Sequence, residues 1–378
     1  MRNRPQEPTP GLPHQFTHQE AIDAAAQDSE LLQQYQPKPE KGELPPTDEP
    51  PAPPSLNPDW LTWNKGAVPG LAKSFLQDRD FENIPMLADA LEDAGCTDSR
   101  ILDTLRSNPQ SPEASLWVLS IARGEQGPNV EILNNWLRFY QTYFPAKEFP
   151  NLNVDFSTVQ FPERTPEELQ EFTFDMVIPE GITAKDAYQA LEQAGSRIDP
   201  ATIGKAQHPQ GRSYFTCYSS VNLSNVKDVD FNGNPLKEPQ ATKVLFARNT
   251  IPADPQNANR SAQALVQDPS RPKNISYLSL TGRLLMELKY WDRQKDQVAN
   301  ENDRHLDPSN VAYTWTLCPL SRDAGGTVLS VSWSSGIRRV CVSWDNLGFA
   351  DDDLRARSVV EVSETSPKVG QTPLDETP

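Results

Sequence analysis

The stretches VLSVSW (328–333) and RRVCVSW (338–344) decide the fold that we expect for the C-terminal half of this chain. In both stretches apolar and small polar residues alternate with a period of two, which is typical of β-strands with one buried face. One face carries Val328, Ser330, Ser332, Cys341 and Ser343, and the opposite face carries Leu329, Val331, Trp333, Val340, Val342 and Trp344. The pattern predicts a rigid sheet with hydrophobic anchors on one side and small, mixed side chains on the other.

Further strand and helix patterns surround this pair. The other predicted strands are EFTFDMVI (171–178), SYFTCYSSV (213–221), TKVLFARN (242–249), AYTWTLC (312–318) and ARSVVEV (356–362). Two helices are predicted between them, AKDAYQALEQAG (184–195) and SYLSLTGRLLMELKYWD (276–292). Strands and helices in this mixed order, with no repeat at a fixed period, indicate an α+β domain.

A group of short helices is predicted before the strands. Residues 58–145 have helical patterns that prolines begin and glycines end. Thr97 is the predicted N-cap of ILDTLR, and Ser111 precedes the helix ASLWVLSIAR. The segment VEILNNWLRFYQTYF (130–144) carries a broad aromatic face, so these helices are expected to pack into a compact module.

The expected fold class is therefore α+β, with a small all-helical module followed by a mixed α/β domain. The 36 prolines and the hydrophobic content of 36% indicate a mixture of folded and unfolded parts. The predicted organisation is a disordered proline-rich arm with one short helix (1–57), the helical module (58–145), a linker (146–168), the α+β domain (169–362) and a disordered tail (363–378).

The charge and the distribution of apolar residues limit the expected partners. A net charge of −17 repels phosphate backbones and anionic lipids, so neither nucleic acid nor a membrane is an expected partner. No segment approaches the roughly 20 apolar residues of a membrane helix, and no apolar run follows the first residues. Together with four dispersed cysteines, these features predict a cytoplasmic protein with reduced thiols.

No motif predicts a metal site or a cofactor. The cysteines form no CxxC pair, and the four histidines have no metal-binding spacing. Cys318 and Cys341 could meet across neighbouring strands, but two free thiols are the simpler interpretation. The sequence DVDFNG (228–233) opens like a calcium loop, but Pro239 stands where the distal glutamate of such a loop belongs.

Nucleophilic catalysis has one possible arrangement in this sequence. Cys217 could act with His208 or His305 and with an aspartate such as Asp307. A structural role for each of these residues is the simpler interpretation. The sequence therefore disfavours an enzyme without excluding one.

One stretch of the helical module resembles known proteins. Residues 60–106, above all IPMLADALEDAGC (84–96), are similar to a helical segment that recurs in uncharacterised bacterial proteins. The resemblance implies no activity, because these residues have the pattern of a packed amphipathic helix.

A second resemblance covers about residues 276–362. After a helix this region contains HLD (305–307), TWT (314–316), SR (321–322), GG (325–326), two strands that end in tryptophan, and LRAR (354–357). It resembles the C-terminal part of C-type-lectin-like proteins of the formylglycine-generating-enzyme type, in particular the variable proteins of diversity-generating retroelements. The cysteine pair of the enzyme branch has no counterpart here, which argues against that activity.

The second resemblance implies a fixed scaffold that displays interchangeable residues. The display positions would be Ser330, Ser332, Ser334, Ser335, Arg338, Arg339, Cys341, Ser343, Asp345 and Asn346. The expected function is then a non-enzymatic protein that binds an unknown protein or surface ligand through a lectin-like surface. One alternative is a structural or adaptor protein of a phage-like or other multi-protein assembly, and another is an enzyme with Cys217 or Cys341 as nucleophile.

Overall fold

A computed structural model of the chain describes residues 54–196, 216–237, 240–295, 304–308, 314–335 and 338–362. Within these ranges a group of helices precedes two mixed or antiparallel sheets, so the predicted α+β class is confirmed. Residues 1–53 of the predicted arm with its short helix, the C-terminal tail and His208 lie outside the described residues.

Most of the helices begin with a proline as their first residue or directly after a capping side chain. Ser111 accepts a hydrogen bond from the Ala114 N–H and caps the helix that follows it. The helices are α1 (Pro58–Thr62), α2 (Ala67–Asp78), α3 (Pro85–Asp93), α4 (Ser99–Ser107), α5 (Pro112–Arg123), α6 (Pro128–Tyr143), α7 (Pro166–Glu171), α8 (Ala184–Ser196), α9 (Ala262–Val266) and α10 (Leu280–Gln294). The predicted helical module is thus built from α1 to α6.

Two predicted helix starts are corrected by the structure. The N-cap of α4 is Asp98, whose carboxylate accepts from the Arg100 N–H, and not Thr97. The predicted helix over 276–292 begins only at Leu280, because residues 275–277 pair with another strand and Ser279 caps the helix. In both cases the acceptor that satisfies the first free N–H groups sets the boundary.

The strands form two sheets. They are β1 (Phe174–Ile178), β2 (Thr216–Ser219), β3 (Lys227–Asp228), β4 (Lys243–Ala247), β5 (Ile275–Tyr277), β6 (Trp315–Arg322), β7 (Val328–Ser334), β8 (Arg339–Asp345), β9 (Leu354–Ala356) and β10 (Ser358–Glu361). The four-stranded sheet has the order β1-β4-β10-β5 and is antiparallel throughout. The six-stranded sheet has the order β2-β8-β7-β6-β3, with β9 pairing in parallel with β6.

The helices and both sheets share one hydrophobic core. The aromatic face of α6 supplies Trp136 and Tyr140, which are fully buried, and Tyr140 donates a 2.6 Å hydrogen bond to the Val177 carbonyl of β1. Apolar side chains of residues 146–168, such as Phe156, also belong to this core. The residues from Pro54 onward accordingly form one compact unit. None of the helices in the described ranges is both long and apolar enough to cross a membrane.

Candidate functional site

The register of β7 and β8 creates the face that the alternating sequence predicts. Ser330 pairs with Ser343 and Ser332 pairs with Cys341, so these small side chains share one face of the six-stranded sheet. On the opposite face Val331 pairs with Val342, and both are fully buried in the main core. The predicted division between anchoring and small side chains is therefore present along most of both strands, but the prediction is wrong for Trp344, which is next to the last residue of β8 and is 50% exposed.

The ten predicted display positions differ in how far they reach the surface. Ser330 and Ser332 are only 1% and 2% exposed, and the Cys341 side chain is also buried. The half-buried or exposed positions are Ser334, Ser335, Arg338, Arg339, Ser343, Asp345 and Asn346. The structure thus brings the strand residues together but leaves the centre of β7 covered.

A second, smaller core explains part of this burial. It lies on the small-residue face and combines α9 with the sheet through Leu265, Leu317, Val328 and Leu354. The chain after β8 folds back over the sheet, and the Gln263 N–H of α9 donates to a carbonyl of that returning segment. These segments are distant in sequence, so the alternating pattern alone did not reveal the cover.

A cavity of about 280 Å³ lies where the returning segment meets the sheet. Its lining contains two aromatic rings, two serines, three carboxylates and one leucine, and none of these residues is basic: Trp315, Ser330, Ser343, Asp345, Phe349, Asp351, Asp353 and Leu354. Ser330 donates a 3.0 Å hydrogen bond to Asp345. Burial raises the pKa of Asp345, and the nearby Asp351 carboxylate raises it further. The cavity is therefore an acidic site, and its lining contains no basic side chain to balance the carboxylates.

Several large apolar side chains are exposed near the end of β8, and one of them, Phe349, lines this cavity. Of the six exposed large apolar side chains in the described ranges, three lie in or just after β8: Trp344 (50%), Leu347 (38%) and Phe349 (46%). A fourth, Tyr218 (49%), lies beside Cys341 on the neighbouring strand β2. We call the region around the cavity the sheet-end surface and define it by Ser343, Asp345, Leu347, Phe349, Asp351 and Asp353.

Sequence reasoning missed most of this surface. Runs of carboxylates such as Asp351–Asp353 usually form solvated loops, so this run does not by itself indicate a binding site. The available signal was LGF (347–349), which places two large apolar residues between a strand and an acidic run, where a loop is normally polar.

A separate ionic network lies in the interior of the domain. Arg283 of α10 donates to Glu287 at 2.7 Å and to Asp307 at 3.0 Å, and Arg357 donates to Asp307 at 3.1 Å. Glu287 also contacts the imidazole of His305 at 2.8 Å. Two guanidinium groups thus balance two carboxylates, so the network carries no net charge when the histidine is neutral.

The ionisation states follow from burial and from these contacts. Burial lowers the pKa of His305 and keeps its ring neutral, although Glu287 acts against this shift. Burial opposes the ionisation of Glu287, but the Arg283 guanidinium outweighs it and holds the Glu287 pKa below its usual value. The His305 ring stacks on Trp333 with centroids 3.6 Å apart. Because every member is enclosed, the network is a structural centre that a substrate does not reach.

The candidate pair Cys318 and Cys341 and the loop that resembles a calcium site also have structural explanations. All four cysteines are free, which agrees with the simpler interpretation of Cys318 and Cys341. Asp230 uses its carboxylate inside its own turn, where it accepts from the Asn232 and Asn234 N–H groups. In the described part of the chain no group of three or more histidine, cysteine or acidic residues could hold a metal ion.

Comparison with known proteins adds no family. The chain matches no protein-family model, no curated protein and no solved structure. The geometry of the site must therefore carry the functional argument.

Proposed function

We propose that this chain is a non-enzymatic binding protein that captures a protein or peptide ligand on the sheet-end surface of its C-terminal, lectin-like domain. The observation that carries the proposal is an acidic cavity whose lining includes the exposed ring of Phe349, with the exposed Leu347 two residues before it in the chain. Exposed aromatic side chains that cluster beside a cavity are the usual anchors of protein interfaces.

The charges of the cavity indicate the chemistry of the ligand. Three carboxylates and two aromatic rings line it, and no basic side chain belongs to the lining. A lysine or arginine side chain would pair with the carboxylates and lie against the rings. Burial is the main cause of the raised pKa of Asp345, and a basic side chain would offset the smaller contribution from Asp351. We therefore expect a ligand with a basic side chain next to an apolar one.

Selection of ligands tests the proposal directly. The full-length protein is immobilised and exposed to a phage-displayed peptide library and, in parallel, to a glycan array. We expect enrichment of peptides that combine lysine or arginine with an apolar residue, and loss of their binding to a Phe349→Ala variant. A Met86→Ala variant is the matched control, because Met86 is exposed on α3 in the helical module. Selected peptides that bind the two variants with equal affinity would contradict the proposal. Binding of glycans without binding of peptides would show that the ligand is a glycan and not a peptide.

The diversified character implied by the resemblance has its own test. Close relatives encoded near a reverse transcriptase and a template repeat should differ mainly between residues 321 and 353. Within that range we expect variation at positions that reach the surface, such as Arg339, Ser343 and Asn346, and constancy at Val331 and Val342, which anchor the sheet. Identical residues across the range in these relatives would contradict the diversification hypothesis, but they would not contradict the proposed binding surface.

A further inference from the structure

A second and larger cavity lies on a different part of the domain. It measures about 640 Å³, which is within the range of small-molecule sites. Its walls come from the end of β1, the start of α8, the start of α10, β3 and the start of β4. None of its lining residues belongs to the sheet-end surface.

One wall of this cavity is formed by the backbone around Glu180 and Gly181, which makes close contacts with a neighbouring segment of the chain. The Asn153 N–H donates to the Glu180 carbonyl at 3.0 Å and pairs the two segments. Gly181 follows with φ of +82°, and a Cβ atom there would lie 2.4 Å from the Asn151 carbonyl oxygen. Only glycine permits this approach, so the wall is fixed before any ligand binds.

Three side chains offer hydrogen-bond donors to this cavity without a strong partner. Thr281, the second residue of the 15-residue helix α10, is only 7% exposed and lines the cavity, and its hydroxyl makes no hydrogen bond with any described residue. Lys227 and Lys243 also line it, and neither forms an ion pair within the described ranges. The Lys243 ammonium makes one long contact of 3.4 Å, to the Gln240 side chain.

The two carboxylates of the cavity are already engaged. Glu180 accepts a 3.0 Å hydrogen bond from the Asn153 side chain, and Asp228 accepts a 2.6 Å hydrogen bond from the Ser321 hydroxyl. The donors available to a ligand include two ammonium groups and the buried Thr281 hydroxyl, whereas the Leu280 and Gly282 N–H groups of α10 are already engaged by Ser321 and Ser279. This set fits a negatively charged oxygen group.

We propose that this cavity binds a small organic oxyanion, with a carboxylate or phosphate group held by Lys243, Lys227 and Thr281. The apolar part of the ligand would pack on Ile178 and Val226, which also line the cavity. The inference goes beyond the binding function of the sheet-end surface, and neither proposal depends on the other.

Calorimetric titration of the full-length protein tests this site with three probes: inorganic phosphate, phenyl phosphate and benzoate. We expect one site per chain, with phenyl phosphate or benzoate binding more tightly than inorganic phosphate because the ring fills the apolar part. Binding of phenyl phosphate alone assigns a phosphate ligand, and binding of benzoate alone assigns a carboxylate ligand. The inference is overturned if none of the three binds at millimolar concentration.

Substitutions of lining residues test whether the probe binds in this cavity. Lys243→Met and Thr281→Val should each weaken the preferred probe by about tenfold, the usual effect of losing a hydrogen bond to a charged group. Lys147→Met is the matched control, because Lys147 is exposed and lies outside the cavity lining. Equal affinity of all three variants overturns the inference. If Thr281→Val fails to fold, Lys243→Met and Lys227→Met decide the result by the same criterion.

Discussion

The indole Nε1 of Trp136 donates a hydrogen bond to Oδ2 of Asp175 over 2.8 Å and thereby joins helix α6 to strand β1. Arg293 of α10 binds the same carboxylate, with its nearer contact at 3.0 Å. One aspartate thus holds together a helix of the N-terminal module, a strand and a helix of the sheet domain.

Replacement of this aspartate should destabilise the whole unit. We expect Asp175→Ala to lower the free energy of unfolding by about 2–3 kcal/mol, because a charged acceptor is removed from two donors. Asp89→Ala is the control, since Asp89 forms an exposed ion pair with Arg106 and should cost less than about 1 kcal/mol. Urea unfolding followed by tryptophan fluorescence gives both values, and equal losses for the two variants would contradict this role of Asp175.

The buried Lys289 should make stability depend on pH. Its ammonium lies over the rings of Trp136 and Phe139, and burial lowers its pKa from 10.5 to about 8. Between pH 8 and 10.5 the unfolded chain binds more protons at this residue than the folded one. Stability is therefore reduced below pH 8 and rises through this window as the lysine loses its proton.

Lys289→Met tests this linkage. The variant should lack the rise, and at pH 7 it should be more stable than the parent by about 3 kcal/mol, the cost that corresponds to the lowered pKa. Urea titrations from pH 7 to 10 measure both effects, with Lys185→Met as an exposed control. If the stability of the parent protein instead falls steadily over this range, in parallel with that of the variant, the charge on Lys289 does not destabilise the folded protein.

The buried network should be intolerant of a lost charge. Asp307 accepts hydrogen bonds from Arg283 and Arg357, and its φ of +52° suits asparagine as well as aspartate. Asp307→Asn keeps the shape but leaves an excess of buried positive charge, so we expect a loss of about 3–5 kcal/mol in unfolding free energy. Thermal and urea unfolding measure it, and a change as small as that of Asp89→Asn would contradict the account of this network.

The cysteines should be unreactive in the folded protein. Burial raises the pKa of Cys217 well above its usual value and that of Cys318 to about 12, and the Cys96 and Cys341 pKa values are also raised by burial. At neutral pH we expect iodoacetamide to label all four slowly, and quickly only in denaturant. Mass spectrometry of timed samples measures this. Rapid labelling of Cys217 or Cys341 in the folded chain would instead support the alternative of an enzyme with that cysteine as nucleophile.

The sequence predicted those features that depend on neighbouring residues. The alternation in VLSVSW (328–333) predicts the two faces of β7 correctly, because side-chain direction in a strand follows from position alone. The start of α10 was predicted too early, because Ser276 and Tyr277, which the helical pattern includes, pair with β10 in the folded chain. Tertiary pairing overrode local propensity there.

The site depends on contacts that no local pattern contains. Ser330 lies on the predicted face, yet α9 and the chain after β8 cover that region, and both are remote from it in sequence. Arg283 and Glu287 have the spacing of an ordinary surface ion pair on a helix. They are buried because Asp307 and Arg357 arrive from other segments to complete their charges.

The central claim is that the sheet-end surface binds a ligand with a basic side chain. The most direct test is the Kd of the tightest selected peptide for the parent protein, Phe349→Ala, Asp345→Asn and Met86→Ala. We predict that the first two variants weaken binding by at least about tenfold, as loss of an aromatic or charged anchor does, and that Met86→Ala leaves the Kd unchanged. An unchanged Kd in Phe349→Ala and Asp345→Asn would contradict the claim.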